Sequence, residues 1–278
     1  MDKVNQKERR IYLISRLLAE QPQYQTMTVP ESDREQRELL RALLNVRMPM
    51  AASEEFLKVQ DDYLQEELSE KGIVKLSDLQ PMGKGIYLWQ GDITRLQADA
   101  IVNAANSGMT GCYRPNHACI DNCIHTFAGI QLRLTCAEMM EQQGFPEPVG
   151  RARITPGYNL PCRYVLHTVG PMVEGALTHG HREQLASCYR SCMELAEENG
   201  CGSIAFCCIS TGVFRFPNEE AAKIAVQTVN EYKKTGSDLK VVFNVFQDRD
   251  YETYRRLLRE NGFLTLSAPI PDRSFGAT

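Results

Sequence analysis

Tyr164-Val165-Leu166-His167-Thr168-Val169 is a six-residue run in which branched, aromatic and apolar side chains follow one another with almost no polar alternation. A run of this composition predicts a strand. Apolar residues at both alternating positions mean that both faces of that strand must be covered. Working outward, residues 86–90 (Ile-Tyr-Leu-Trp-Gln), 98–102 (Ala-Asp-Ala-Ile-Val), 203–209 (Ser-Ile-Ala-Phe-Cys-Cys-Ile) and 239–246 (Leu-Lys-Val-Val-Phe-Asn-Val-Phe) read the same way. Helical candidates lie at 118–142, 181–199, 217–234 and 249–261. Doubly covered strands alternating with helices predict an α/β layered domain. In open α/β sheets, ligands bind at the carboxyl ends of the strands.

Upstream of this domain the texture differs. Ile11, Ile14 and Leu18 recur at helical spacing, Leu39, Leu40, Leu43 and Leu44 form a second stripe, and Leu57, Leu64 and Leu68 a third. Pro22, Pro30 and Pro49 punctuate them. The predicted organisation is a helical extension over residues 1–75, the α/β domain over 76–266 and a C-terminal tail over 267–278 that frays or wraps the surface. The extension holds no catalytic cluster; it reads as a cap on the main domain, with partner docking as the alternative.

The formal net charge is -4, and the basic residues form no cluster, so a nucleic-acid backbone is not an expected partner. No apolar run approaches a membrane span, and Arg16 interrupts the first apolar stretch, so neither a membrane anchor nor a signal peptide is expected. The expected location is the cytoplasm, where the ten cysteines would be reduced thiols rather than a disulfide framework.

Several chemistry-bearing residues fall just after the predicted strands. Asp92 follows the first; a carboxylate there can accept a hydrogen bond from an exocyclic amine such as adenine N6, or it can cap a turn. Asn103 and Asn106 flank two alanines, and their carboxamides offer donors and acceptors to a ribose diol; they can also bond their own loop. Ser210-Thr211-Gly212-Val213-Phe214 is a strand-to-helix loop able to aim backbone amides at phosphate, or simply a turn. It lacks the Lys of a P-loop.

The sharpest signal is Cys112-Tyr113-Arg114-Pro115-Asn116-His117-Ala118-Cys119, with three metal-ligating side chains in eight positions. Two sulfurs and an imidazole suit zinc, and three protein ligands leave one coordination position open. Cys123, one helical turn beyond Cys119, is either a fourth ligand closing the site or a buried thiol. Asp121 sits where it can complement a helix dipole, orient a water or hold a sugar. His167, inside a strand, reads as a core histidine with satisfied partners. Ligand cluster and carboxamides together suggest a metal-assisted hydrolase acting on a nucleotide sugar.

Gly91-Asp92-Ile93-Thr94, Ile101-Val102-Asn103-Ala104-Ala105-Asn106, Tyr158-Asn159-Leu160-Pro161 with Tyr164–Val169 and Gly170-Pro171, and Ser210–Phe214 resemble, in order, the signature segments of macrodomains. The resemblance covers about residues 70–262. In most ADP-ribose-hydrolysing macrodomains a glycine run precedes an Asp and an Ile-His pair. Here Asp121 and Ile124-His125 remain while the Cys/His cluster replaces the glycines, which is similar to the zinc-dependent bacterial macrodomains. Those carry an N-terminal helical extension and are encoded beside sirtuin-type ADP-ribosyltransferases.

The resemblance implies a three-layer α/β/α fold with a mixed sheet. It implies that Asp92 and Ile93 hold adenine, that the catalytic set Asn103, Asn106 and Asp121 positions the distal ribose, and that Ser210, Thr211, Gly212, Val213 and Phe214 cradle the diphosphate. It further implies zinc on Cys112, His117 and Cys119, ADP-ribose and mono-ADP-ribosylated protein as ligands, and removal of mono-ADP-ribose from acidic side chains. Rival expectations are a non-catalytic ADP-ribose reader with a structural zinc and an O-acetyl-ADP-ribose deacetylase.

Overall fold

The computed structural model describes residues 5–24 and 26–263; the tail predicted at 267–278, and the last residues of the domain assigned to 76–266, lie outside them. The three N-terminal stripes become α1 (Gln6–Ala19), α2 (Asp33–Val46) and α3 (Glu54–Lys71). Asn5, Ser32 and Ser53 start them, each accepting a backbone N–H of the first turn, and Gly72 at φ 77° ends α3. Leu13, Ile14, Leu40, Leu43, Phe56 and Leu64 form a small core of their own, with Ile130 of the main domain packed against it.

After α3 come two short strands, β1 (Val74–Lys75) and β2 (Pro81–Gly83), then β3 (Ile86–Gln90), β4 (Leu96–Gln97) and β5 (Ala100–Ala105). Next follow α4 (Ile120–Ala128), α5 (Ile130–Gln143), β6 (Ala152–Pro156), β7 (Tyr164–Val169), α6 (His179–Glu198), β8 (Ser203–Phe206), α7 (Asn218–Lys233), β9 (Lys240–Val245) and α8 (Asp248–Glu260). A seven-stranded sheet has the order β2-β3-β9-β8-β5-β7-β6, and β1 pairs separately with β4. The five inner strands run parallel, and β2 and β6 are antiparallel edges, so the sheet is mixed. Helices α6, α7 and α8 pack in a row, and α4 and α5 lie together, giving three α/β/α layers. Ile101, Val102, Val165, Leu166, Val241 and Val242 are wholly buried, as strands covered on both faces require. Each such side chain contributes about 1.5–3 kcal/mol relative to exposure.

The predicted helix over 118–142 is two helices, because Gly129 at φ 99° breaks it between α4 and α5. The parallel arrangement sends the carboxyl ends of β3, β5, β7, β8 and β9 to one edge of the sheet. All ten cysteines are free thiols. Among the described residues no helix is long and apolar enough to cross a membrane.

Candidate active site

At the end of β3, Asp92 caps the turn Ile93–Arg95: its Oδ1 accepts from Thr94 N (3.0 Å) and Thr94 Oγ1 (2.6 Å). The capping role is therefore real, and Oδ2 remains for a ligand. Ile93 is 1% exposed, so its side chain is core and only its backbone can face a bound base. Beside it, β9 ends at Val245, whose carbonyl accepts from Gly91 N (3.0 Å). The next residue, Phe246, is 77% exposed, and its carbonyl is held by Gln90 Nε2 (3.2 Å). The apolar run 239–246 predicts Phe246 as the last residue of that strand. The strand stops one residue earlier, at Val245, and the ring stands exposed at the strand end that also carries Asp92.

Past β8, the loop Ser210–Phe214 leads towards α7. Ser210 is buried at φ 64°, a left-handed conformation costly for a residue with a Cβ. Opposite it stands Gly170, where any Cβ would overlap Ser210 Oγ. The turn is closed by Phe216 N donating to Ser210 O (3.0 Å) and Arg215 N to Gly212 O (3.0 Å). Among the described residues, the amides of Gly212, Val213 and Phe214 donate to no carbonyl, and Gly212 and Val213 are exposed. Three successive free amides form a cradle for an anion.

The end of β5 carries a buried polar network. Asn103 pairs in register with His167 of β7, which puts the two side chains together. Asn103 Nδ2 donates to Asp121 Oδ1 (2.8 Å) and lies 3.2 Å from His167 Nδ1. His167 Nε2 meets Thr155 Oγ1 at 2.9 Å, so this histidine is the partnered core residue expected. Asn106 Nδ2 donates to Asp121 Oδ2 (3.2 Å) and to the carbonyl of Gly111 (3.1 Å), while its Oδ1 accepts from Gly108 N (2.9 Å). Asn103 has no exposed surface, so it reaches a ligand through Asp121, whereas Asn106 is half-buried and can touch one directly. Burial raises the Asp121 carboxyl to about 6, against the lowering effect of the two asparagines and Arg133. His125 Nε2 lies 3.6 Å from Asp121 Oδ1; burial drives its pKa well down, so the imidazole is neutral and the contact is no ion pair. Gly111, at φ 86°, lets the chain pass over the His125 ring, which a Cβ there would approach to 2.8 Å.

Directly after Gly111 come the three predicted ligands. The ligand atoms of Cys112, His117 and Cys119 all lie within 4.8 Å of one another, and each residue is half-buried. Cys112 Sγ is 3.5 Å from His117 Nδ1. A tetrahedral ion with bonds of ~2.3 Å to sulfur and ~2.0 Å to nitrogen would separate such atoms by ~3.5 Å. Burial pushes the Cys119 thiol up to about 12, with Cys112 and Asp121 adding in the same direction. A dication among these groups would instead hold both sulfurs as thiolates. The donor set and spacing thus fit zinc. Cys123 is outside this cluster; its Sγ faces Arg41 Nη2 at 3.5 Å. Asn106 joins the parts, since it bonds both Asp121 and the carbonyl preceding Cys112.

The Macro domain family model matches residues 102–225. A protein-ADP-ribose hydrolase of Treponema medium is 58% identical over 260 residues, spanning 92% of this chain and all of that protein. One from Staphylococcus aureus (strain MSSA476) is 50% identical over 252 residues, 90% of this chain and 94% of that protein. Among solved structures, a Trypanosoma brucei macrodomain in complex with ADP-ribose aligns with a TM-score of 0.61 at 33% identity, covering 82% of this chain and 97% of that one.

Proposed function

This chain belongs to the macrodomain family, and from that premise we propose that it is a zinc-dependent protein-ADP-ribose hydrolase that removes mono-ADP-ribose from acidic side chains. The activity follows relatives named for it that match nearly the whole chain. The observation that carries the zinc-dependent reading is the position of Asn106, which ties the three-ligand cluster and the Asp121 carboxylate into one wall.

In this reading Asp92 Oδ2 accepts from the adenine amine and Phe246 stacks on the base. The free amides of Gly212, Val213 and Phe214 hold the diphosphate, with Ser210 and Thr211 shaping the turn. Asn106 and Asp121 hold the distal ribose, and Asn103 fixes the orientation of Asp121 by occupying its Oδ1. Holding the sugar in one orientation lowers the entropic part of the barrier. Water is consumed: the bond between C1″ and the carboxyl oxygen of the target side chain breaks. The products are ADP-ribose with a free 1″-hydroxyl and an unmodified carboxylic acid. Cys112, His117 and Cys119 would hold a zinc ion that supplies Lewis acidity at the distal ribose.

The matching transferase would be sirtuin-like and the setting cytoplasmic, consistent with ten free thiols. The test incubates a protein carrying mono-ADP-ribose on Asp or Glu with wild type and with Cys119→Ala. Release by wild type and loss in the variant support the reading. Binding without release by wild type would make the protein a reader. Faster turnover of O-acetyl-ADP-ribose than of modified protein would reassign the substrate.

A further inference from the structure

The ligand-bearing loop has little structure of its own. Within residues 112–119 the one internal backbone hydrogen bond among the described residues is His117 N to Arg114 O, at 3.3 Å. Fixing a residue's backbone costs about 1–2 kcal/mol, so a loop that presents three ligands in register needs outside support.

That support comes from the helical extension. Arg41 Nη2 of α2 donates to the carbonyl of His117 (3.0 Å) and to Asn122 Oδ1 (3.2 Å). One turn further, buried Asn45 Oδ1 accepts from the backbone N–H of Asn116 (2.9 Å), a residue held at φ 52°. Asn45 Nδ2 donates to Thr126 Oγ1 (2.8 Å), which in turn donates to the Asn122 carbonyl (2.7 Å). Asn122 has no exposed surface. Its Nδ2 donates to the carbonyls of Cys112 (3.2 Å) and Arg114 (3.1 Å), and its backbone N–H faces Cys119 Sγ (3.4 Å).

The end of α2 is locked to the same region. Arg133 Nη1 donates to the carbonyls of Leu44 (3.0 Å), Asn45 (2.8 Å) and Arg47 (2.6 Å), groups that a helix terminus leaves unpaired. Arg133 Nε donates to the carbonyl of Thr110 (2.8 Å), two residues before Cys112. Side chains of α2, more than seventy residues upstream, thus hold the His117 end of the ligand loop directly, while Asn122 and Arg133, which α2 contacts, hold its Cys112 end.

We propose that α2 is a built-in part of the metal centre, with Arg41 and Asn45 as positioning residues that set its metal affinity through His117, Asn116 and Asn122. The proposal rests on the zinc reading above.

The test is competitive zinc titration against a chromophoric chelator, with the full-length chain as wild type, Arg41→Ala, Arg41→Lys, Asn45→Ala and Asp61→Ala. Asp61 docks α3 onto Asn159 (2.7 Å) and Gln131 (2.9 Å), away from the loop, and serves as the control for loosened docking. Melting of each metal-free protein is followed alongside, and half-buried Arg41 supplies the variant least disturbing to the fold. Arg41→Ala and Asn45→Ala are expected to bind zinc about 10–100-fold more weakly, with Arg41→Lys in between. Asp61→Ala is expected to melt earlier at unchanged zinc affinity. Affinities of Arg41→Ala and Asn45→Ala within about twofold of wild type would overturn the proposal, as would an equal loss in Asp61→Ala. A wild type that takes up no zinc would overturn the metal reading itself.

Discussion

Replacing Phe246 by Ala separates ligand binding from folding in one variant. The ring is 77% exposed at the end of β9, so little packing is lost on truncation. The stability change should stay within about 0.5 kcal/mol, as for ordinary surface sites. It stands one residue past β9, whose Val245 carbonyl accepts from Gly91 N, so it is an exposed aromatic at the strand end that carries Asp92, where the half-buried Trp89 ring also lies close to Gly91. Stacking of a base on an aromatic ring contributes about 1–3 kcal/mol. At 1.36 kcal/mol per decade this becomes a Kd for ADP-ribose raised about 5- to 150-fold. Isothermal titration with free ADP-ribose is the assay, because the product cannot turn over, and a thermal melt is run on the same sample. A Kd within about twofold of wild type would refute the placement of the base, and a large drop in melting temperature would refute the claim that the ring is unpacked.

Gly170→Ala places a Cβ against Ser210 Oγ and 2.8 Å from Ile209 Cγ2, so the Ser210–Phe214 loop must shift. A stability loss of about 1–3 kcal/mol by urea titration and weaker ADP-ribose binding are expected. Asn106→Ala removes the tie between Asp121 and the Gly111 carbonyl. Initial-rate kinetics on modified protein should show kcat falling about 100-fold, with ADP-ribose affinity changing less. Burial holds His167 near 3 in the folded state, against about 6.5 when unfolded. The unfolded chain therefore binds the extra proton between those values, and this contribution is present above pH 6.5 and lost as pH falls towards 3. His125 acts in the same direction, and Asp121, raised to about 6, acts in the opposite one. Subtracting the urea-stability profile of His167→Gln from that of wild type isolates the His167 part, a decline of a few kcal/mol on acidification.

The parts of the fold legible in the sequence were those with strong local patterns. The runs at 86–90 and 164–169 form strands with those same limits; the second is buried on both faces, and the first on one face with the other half-buried under Tyr87 and Trp89. The edge strand Ala152–Pro156 was missed, since only Thr155 of its residues is fully buried and its composition is that of a loop. Pro81–Gly83 is three residues with a glycine and a proline, below what periodicity can register. The ligand cluster was visible because its members lie within eight positions, and a short loop necessarily keeps them close. Arg41 and Asn45 were invisible for the converse reason: their partners lie more than seventy residues away, and nothing in a helical stripe marks a polar residue as bound for another domain's loop. Asp92 and Asn106 each satisfy their own turns, the local part weighed for them, and their part towards a ligand belongs to the proposed function.

In the proposed function a zinc ion held by Cys112, His117 and Cys119 is required to release ADP-ribose from a modified acidic side chain. Metal content and turnover measured on one preparation, before and after exhaustive chelation and after zinc is restored, test it most directly. About one zinc per chain is expected, with activity that vanishes with the metal and returns with it, and ADP-ribose binding that survives its removal. Undiminished turnover by protein shown to hold no transition metal would contradict it.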